Sequence, residues 1–204
     1  SFFPMVCGSV ESWRGPEWSE ESQEIAEGLA GAKSARVEIA MGIAELYVAG
    51  GADPGLLIQG TITSGMGEEV EKSFHLDDGR AFFSLRSRGV RVFPAPHRGR
   101  HRRGGSWDLR LNETIPVEVE IKTGVGVSDL DLRSVKAREI AIHTGVGRTT
   151  LTLPERGVIE ADIEGGVGET VVYIPKGMAA RIRIRQGIGG VQVEGDFRRF
   201  GSAY

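Results

Sequence analysis

Hydrophobic residues in the second half of the chain recur with a fixed period. A Gly-Val-Gly or Gly-Ile-Gly triplet begins at positions 124, 145, 166 and 187, so the spacing between successive triplets is constant. An isoleucine lies three residues before each triplet, at positions 121, 142, 163 and 184. Within each repeat the aliphatic residues fall mostly at alternate positions, which is the side-chain period of a β-strand and not of a helix. The pattern predicts two short strands and a glycine segment in every repeat.

A repeat this short cannot bury its own apolar face, whereas stacked repeats can. We therefore predict an all-β fold, a β-solenoid with one coil per repeat, in which equivalent residues stack in parallel about 4.8 Å apart. The glycines are expected to form the corners of the coils, where the backbone excludes a side chain. These predicted corner residues are Gly124, Gly126, Gly145, Gly147, Gly166, Gly168, Gly187 and Gly189.

The 21-residue period also predicts which charged residues are neighbours. Three outward-facing arginines of the last repeat are expected beside three acids of the repeat before it. A slip of one residue would turn the isoleucines outward, so these pairs report the register. The predicted pairs are Arg181 with Glu160, Arg183 with Asp162, and Arg185 with Glu164.

The first half of the chain follows the pattern less strictly. Residues 37–48 reproduce the spacing around Gly42, and further strand-like runs follow them. Together with the repeats they predict about seven stacked coils in a single domain over residues 31–200. Residues 1–30 are rich in glutamate and are expected to form a tail or a cap. The strand-like runs lie at residues 57–62, 70–76, 80–86, 90–93 and 107–111.

Composition limits the class of protein. The chain has 204 residues, of which 40% are hydrophobic and 26% charged, and this favours a folded soluble domain. The net charge of −3 argues against a general affinity for nucleic acid. No uninterrupted apolar run is long enough to predict a transmembrane helix. The one cysteine, Cys7, allows no disulfide within the chain.

Positive charge is concentrated in one segment. Residues 79–107 contain eight arginines and no acid. Prolines and glycines interrupt residues 86–105, which are therefore expected to form an exposed loop. Arginine pairs well with phosphate and carboxylate, so the loop is a candidate site for an anionic membrane surface, an anionic glycan or nucleic acid. The alternative is a charged insertion that the acidic N-terminus partly neutralises. The candidate binding residues are Arg86, Arg88, Arg91, Arg98, Arg100, Arg102 and Arg103.

Other chemistry is weakly indicated. His97 and His101 have a spacing that suits a metal on a helix, but neighbouring arginines and a glycine favour solvated loop histidines. Asp129 and Asp131 alternate on one predicted strand, as an acid pair of a polysaccharide-active enzyme would, yet an outward pair is more typical of a solvated surface. The glycines fit no phosphate-binding or dinucleotide motif. We predict no metal and no cofactor.

Three segments together resemble the bacterial toast-rack domain family. Residues 41–51, MGIAELYVAGG, are similar to its first motif, and residues 106–116, SWDLRLNETIP, to its middle motif. The four glycine repeats resemble its C-terminal coils. Related domains occur in LiaF-like proteins of the cell-envelope antibiotic response and in adhesin-type proteins. The resemblance implies a single-stranded right-handed β-helix that is exported or membrane-associated, with no catalytic residues to transfer.

These observations together predict a non-enzymatic scaffold or interaction module of the bacterial cell envelope. Its partner is expected to be a protein or a second copy of the chain, an anionic surface is possible, and no specific small molecule is predicted. Two other functions stay open at this point. One is an anion-binding module acting through the arginine-rich loop, and the other is a β-helix enzyme acting on polysaccharide.

Overall fold

The computed structural model describes residues 21–65, 68–89 and 105–195. These residues form one sheet of ten strands, and no helix occurs within them. The strands are β1 (Glu21–Gly28), β2 (Ser34–Gly50), β3 (Leu56–Ser64), β4 (Glu69–Asp77), β5 (Arg80–Arg88), β6 (Gly105–Leu111), β7 (Val117–Asp131), β8 (Ala137–Thr152), β9 (Val158–Tyr173) and β10 (Ala179–Glu194). The prediction of an all-β fold is confirmed.

The five longest strands form a parallel stack in the order β2, β7, β8, β9, β10. Equivalent residues of the glycine repeats lie opposite one another, so that Val146 pairs with Val167 and Val167 with Ile188. The predicted register is confirmed at the charged positions as well, because Arg183 lies opposite Asp162. We call each strand of this stack a rung.

The first half of the chain differs from the predicted stacking in chain order. β2 lies directly against β7, although four other strands come between them in sequence. β5 and β6 share the other side of β2, where β5 pairs with residues 34–40 and β6 with residues 44–50. Three pairs, β1–β3, β3–β6 and β4–β5, are antiparallel.

A tight turn explains one of the antiparallel pairs. Asp78 and Gly79 join β4 to β5, and both have positive φ, 43° and 75°. Positive φ at both central residues defines the two-residue hairpin turn that suits the twist of antiparallel strands. A chain that reverses here cannot continue into a parallel coil, so residues 69–88 form a hairpin at the edge of β2.

The inward side chains of the rungs form one hydrophobic core. On β7, Val119 and Ile121 are buried before the glycine triplet, and Ser128 and Leu130 after it. Buried positions therefore change from odd to even numbers across the triplet. Each rung is thus divided into a first arm and a second arm, and both arms contribute side chains to the same core.

Asn112 holds the end of β6 in place. Its side chain is fully buried, and its Nδ2 donates to the carbonyl oxygens of Leu56 (2.7 Å) and Pro54 (3.3 Å). Its Oδ1 accepts from the backbone N–H groups of Thr114 (2.7 Å) and Ile115 (3.2 Å). A buried amide that uses both ends in this way is stabilising, because none of these polar groups is left unpaired. Asn112 belongs to the middle motif noted in the sequence.

Candidate binding surface at the glycine triplets

Each predicted corner glycine is required because a neighbouring rung leaves no room for a side chain. A Cβ placed on Gly147 would overlap the carbonyl oxygen of Gly126, and one on Gly168 would overlap that of Gly147. The second glycine of every triplet also has positive φ, between 130° and 151°. The rungs therefore approach one another through bare backbone at these positions.

A row of aliphatic side chains lies between the two columns of glycines. One member comes from each rung, and the pairing register places them side by side. Their exposed fractions lie between 46% and 71%. We call this row, formed by Ile43, Val125, Val146, Val167 and Ile188, the aliphatic ladder. The ladder is exposed because buried positions change between odd and even numbers across each triplet. If the alternation of the first arm had continued, these residues would face the core.

An open groove of about 770 Å³ runs across the rungs beside the aliphatic ladder. Its length follows the stack, so that successive rungs contribute equivalent residues to it. The first glycine of each of the triplets at 124, 145 and 166 contributes to its floor, together with Gly42 of β2. The ionisable residues along it are Arg86, Arg88, Lys122, His143 and Glu164.

The cations at the β5 end of the groove are paired with acids. Arg86 donates to Glu38 (2.7 Å), and Lys122 lies 3.0 Å from Glu38 and 2.7 Å from Glu120. Burial raises the pKa of Glu38, but hydrogen bonds from Arg86 and Lys122 outweigh this effect and leave the pKa below its ordinary value. Hydrogen bonds from Lys122 and Arg36 likewise lower the pKa of Glu120. These carboxylates are therefore ionised at neutral pH and neutralise their partners.

The structure describes two of the seven arginines predicted as a binding surface. Arg86 pairs with Glu38, and the Nε of Arg88 lies 2.8 Å from Glu71. Arg91, Arg98, Arg100, Arg102 and Arg103 lie outside the described residues. The prediction of a loop over residues 86–105 is wrong at its ends, because Arg86 and Arg88 belong to β5 and Gly105 to β6. The rest of the arginine-rich segment comes between these strands in sequence, and Gly105 pairs with Ala44 next to the first member of the aliphatic ladder. The segment therefore joins the fold at the end of the ladder.

The structure does not bring the other candidate residues together as a site. His97 and His101 lie outside the described residues; the histidine that does line the groove, His143, contacts Glu164 through Nδ1 at 3.0 Å. Asp131 accepts from Arg133 (2.8 Å), and this hydrogen bond lowers the pKa of Asp131. Within residues 21–65, 68–89 and 105–195, no three potential metal ligands come together.

Comparison with protein families identifies the chain. A family described as the N-terminal domain of toast_rack, DUF2154, matches residues 14–173. The chain belongs to the toast-rack family. The resemblance noted in the sequence motifs is thereby confirmed. Comparison with curated proteins finds no significant match.

A solved structure shares the fold of this toast-rack domain. A "putative cell adhesion protein" from Clostridium sporogenes superimposes with a TM-score of 0.70 at 17% identity, covering 85% of this chain and 98% of the other. A "putative adhesin" from Bacteroides fragilis aligns over 88% of this chain and 100% of the other, with 11% identity and a TM-score of 0.25. The first of these likenesses shows that the two proteins have the same fold.

The toast-rack rungs also carry a feature that the sequence analysis missed. Ser128, Thr149 and Thr170 occupy equivalent positions and are at most 2% exposed. The hydroxyl of Thr149 lies 2.9 Å from that of Thr144, and Thr170 donates to Gln186 (3.1 Å). The sequence does carry a signal for these buried hydroxyls, because a serine or threonine occurs at the same place in three successive repeats.

The part of the chain that the structure describes contains no helix that could span a membrane.

Proposed function

We propose that this toast-rack domain is a non-enzymatic interaction module of the bacterial cell envelope, which binds a protein partner through the aliphatic ladder. The observation that carries the proposal is the ladder itself, five in-register β-branched side chains that are about half exposed or more. Contiguous exposed apolar surface is typical of interaction sites, since single exposed apolar residues are scattered on ordinary surfaces.

The shape of the surface supports a flat or extended partner. The first glycines of the four triplets are exposed and carry no side chains, so an approaching chain can reach the backbone there. The neighbouring outer face of the rungs is different, because many of its charges are in ion pairs, for example Arg36 with Glu120 and Arg185 with Asp162. Removing charged side chains from water costs binding free energy, whereas removing the apolar side chains of the ladder does not. Binding at the ladder is therefore favoured over binding at the ion-paired face.

An envelope location is supported by the resemblance in the sequence and by the description of the Clostridium sporogenes structure as a "putative cell adhesion protein". We further propose that the rungs wind as a right-handed solenoid of about seven coils within residues 31–200, with the glycine triplets as corners. Support comes from the right-handed rule for crossovers between parallel strands. β5 and β6 together supply a sixth row beside the five rungs. Of the predicted tail or cap, residues 21–28 form β1 and pair with β3, and residues 1–20 lie outside the described residues.

The test uses isosteric changes on the ladder. Val125, Val146 and Val167 are replaced together by threonine, which keeps the β-branched shape and makes the surface polar. Val158, which is 80% exposed but lies off the ladder, is replaced by threonine as the matched control. Binding to isolated bacterial envelope preparations is measured by cosedimentation, with circular dichroism to confirm folding. We expect the triple variant to lose binding and the control to retain it.

Two results would contradict this function. One is that the unaltered protein binds none of the envelope preparations. The other is that the triple variant binds as well as the control does, which would place the interaction elsewhere. A loss of binding after protease treatment of the envelopes would support a protein partner over a lipid or glycan.

A second candidate is an anion-binding module acting through the arginine-rich segment. The observation that favours it is position, since this segment joins the fold beside the groove and contains no acid. Replacing Arg98, Arg100, Arg102 and Arg103 by serine is expected to abolish salt-sensitive binding to vesicles that contain anionic lipid. If the unaltered protein does not bind such vesicles even at low salt, this candidate fails.

A further inference from the structure

The last rung leaves part of the core uncovered. In β9 the inward residues Ala161, Ile163 and Val172 are at most 1% exposed. Their counterparts in β10 are Ile182, Ile184 and Val193, which pack against the core but are only partly buried. Val191, the counterpart of the buried Thr170, is 44% exposed. The end of the stack therefore presents an apolar face that a further strand would cover.

The backbone at this end is also arranged to accept a strand. Among the described residues, β10 pairs with β9 alone. In the earlier rungs the N–H of an inward residue donates to the next rung, as Leu153 does to Tyr173 (3.0 Å) and Ile174 to Glu194 (2.8 Å). Val117, an inward residue of a first arm, donates in the same direction to Lys136 (3.1 Å). Backbone groups point alternately to the two sides of a strand. In both arms of β10 the inward residues therefore direct their N–H and C=O groups to the edge that faces away from β9.

We propose that two copies of this chain associate end to end by antiparallel pairing of their β10 strands. A twofold axis across the middle of the strand would place Gly187 of one copy opposite Ile188 of the other. This register brings the first arm of each β10 against the second arm of the other. The hydrogen-bonding groups that point outward then face one another, and the two cores become continuous.

The side chains of β10 are complementary to those of a second β10 in this register. Apolar inward residues oppose apolar inward residues, and basic outward residues oppose acidic or neutral ones. No arginine faces an arginine. The opposed pairs are Ile182 with Val193, Ile184 with Val191, Arg181 with Glu194, and Arg183 with Gln192. A second copy therefore fits the edge better than an arbitrary strand, because opposite charges and apolar pairs across an antiparallel ladder are stabilising.

The first experiment measures the mass of the full chain by analytical ultracentrifugation over a range of concentrations. We expect a reversible dimer. Val191→Lys places a charge opposite Ile184 of the second copy and is expected to weaken the dimer at least about tenfold, because a buried unpaired charge is costly. The side chain at position 191 is exposed in a single copy, so folding should survive. Val127→Lys, at a residue that is 49% exposed and lies on β7, three inter-strand steps from β10, is the matched control and should leave the dimer unchanged.

A charge exchange tests the register and does not depend on the Val191 variant. Arg181→Glu alone and Glu194→Arg alone each oppose like charges across the axis and should weaken the dimer. The variant that carries both changes restores opposite charges and should recover it. A monomer at all concentrations would overturn the proposal, and so would a dimer that is indifferent to these changes. A chain that dimerises only after removal of residues 196–204 would also overturn it, since its own tail would then occupy the edge.

Discussion

Replacing Gly147 by alanine should be among the most damaging small changes in the second half of the chain. Gly147 has a φ of 145°, and its missing side chain faces the carbonyl oxygen of Gly126 in the neighbouring rung. A non-glycine residue at such a φ costs about 1–3 kcal/mol. Moving the carbonyl away, with the overpacking that follows, costs about 1–3 kcal/mol more. We therefore expect a loss of about 2–6 kcal/mol in the free energy of unfolding.

Two other glycines separate the cost of the positive φ from the cost of the close contact between rungs. Gly157 has a φ of 114° but open space around its Cα, so Gly157→Ala should show the backbone strain alone. Gly190 has open space and no positive φ, so Gly190→Ala should change stability little. Urea unfolding followed by circular dichroism gives the three free energies. If Gly147→Ala is no more destabilising than Gly157→Ala, close approach of the rungs is not the reason for the glycine triplets.

Three further predictions concern the interior and the ion pairs. Asn112→Leu leaves several buried backbone groups unpaired and should lower the free energy of unfolding by at least about 3 kcal/mol in urea unfolding. Ile163→Ala should cost about 2–5 kcal/mol and Arg183→Ala less than about 1 kcal/mol; equal costs would contradict the assignment of stability to the core. The pKa of Glu120 is lowered in the folded state. The ionised carboxylate therefore contributes to the free energy of unfolding above its ordinary pKa, and this contribution is lost as the pH falls through the pKa of the folded state. Glu120→Gln should therefore flatten the loss of stability between about pH 5 and pH 3.

The sequence was sufficient to predict the regular half of the fold. A constant period specifies which residues are neighbours, so the pairing of Arg183 with Asp162 could be stated from the spacing alone. The exposure of Val146 could not, because it depends on a change of phase inside the triplet that the apolar pattern does not reveal. From the sequence alone, an apolar side chain at this position is expected in the core. The groove beside it was not predicted, because it lies next to residues that were expected to be buried.

The first half of the fold was harder to predict from the sequence because its strands do not pair at a constant spacing. Four of the five predicted strand runs lie close to β3, β4, β5 and β6, and the run at residues 90–93 lies outside the described residues. A run of alternating residues does not reveal which strand it pairs with or in which direction. Asp78-Gly79 was the one local signal for antiparallel pairing, since this dipeptide favours a two-residue hairpin turn. The contact of β2 with β7 joins distant parts of the chain, and no local preference encodes it. The buried role of Asn112 likewise depends on carbonyl groups that the chain brings from Pro54 and Leu56.

The most direct test of the account is the distance along the aliphatic ladder from its first to its last residue. Spin labels are attached at Ile43→Cys and Ile188→Cys in a chain that also carries Cys7→Ser. The labelled chain is diluted with an excess of unlabelled chain, so that labels on two copies of the proposed dimer do not contribute, and the distance is measured by pulsed electron paramagnetic resonance. Four inter-strand steps separate the two positions in the structure, so the backbone separation should be about 19 Å. The seven coils predicted from the sequence, stacked in chain order, would insert two more coils between these positions and give about 29 Å. A distance distribution centred near the shorter of these two values supports the continuous ladder, and one centred near the longer value contradicts it.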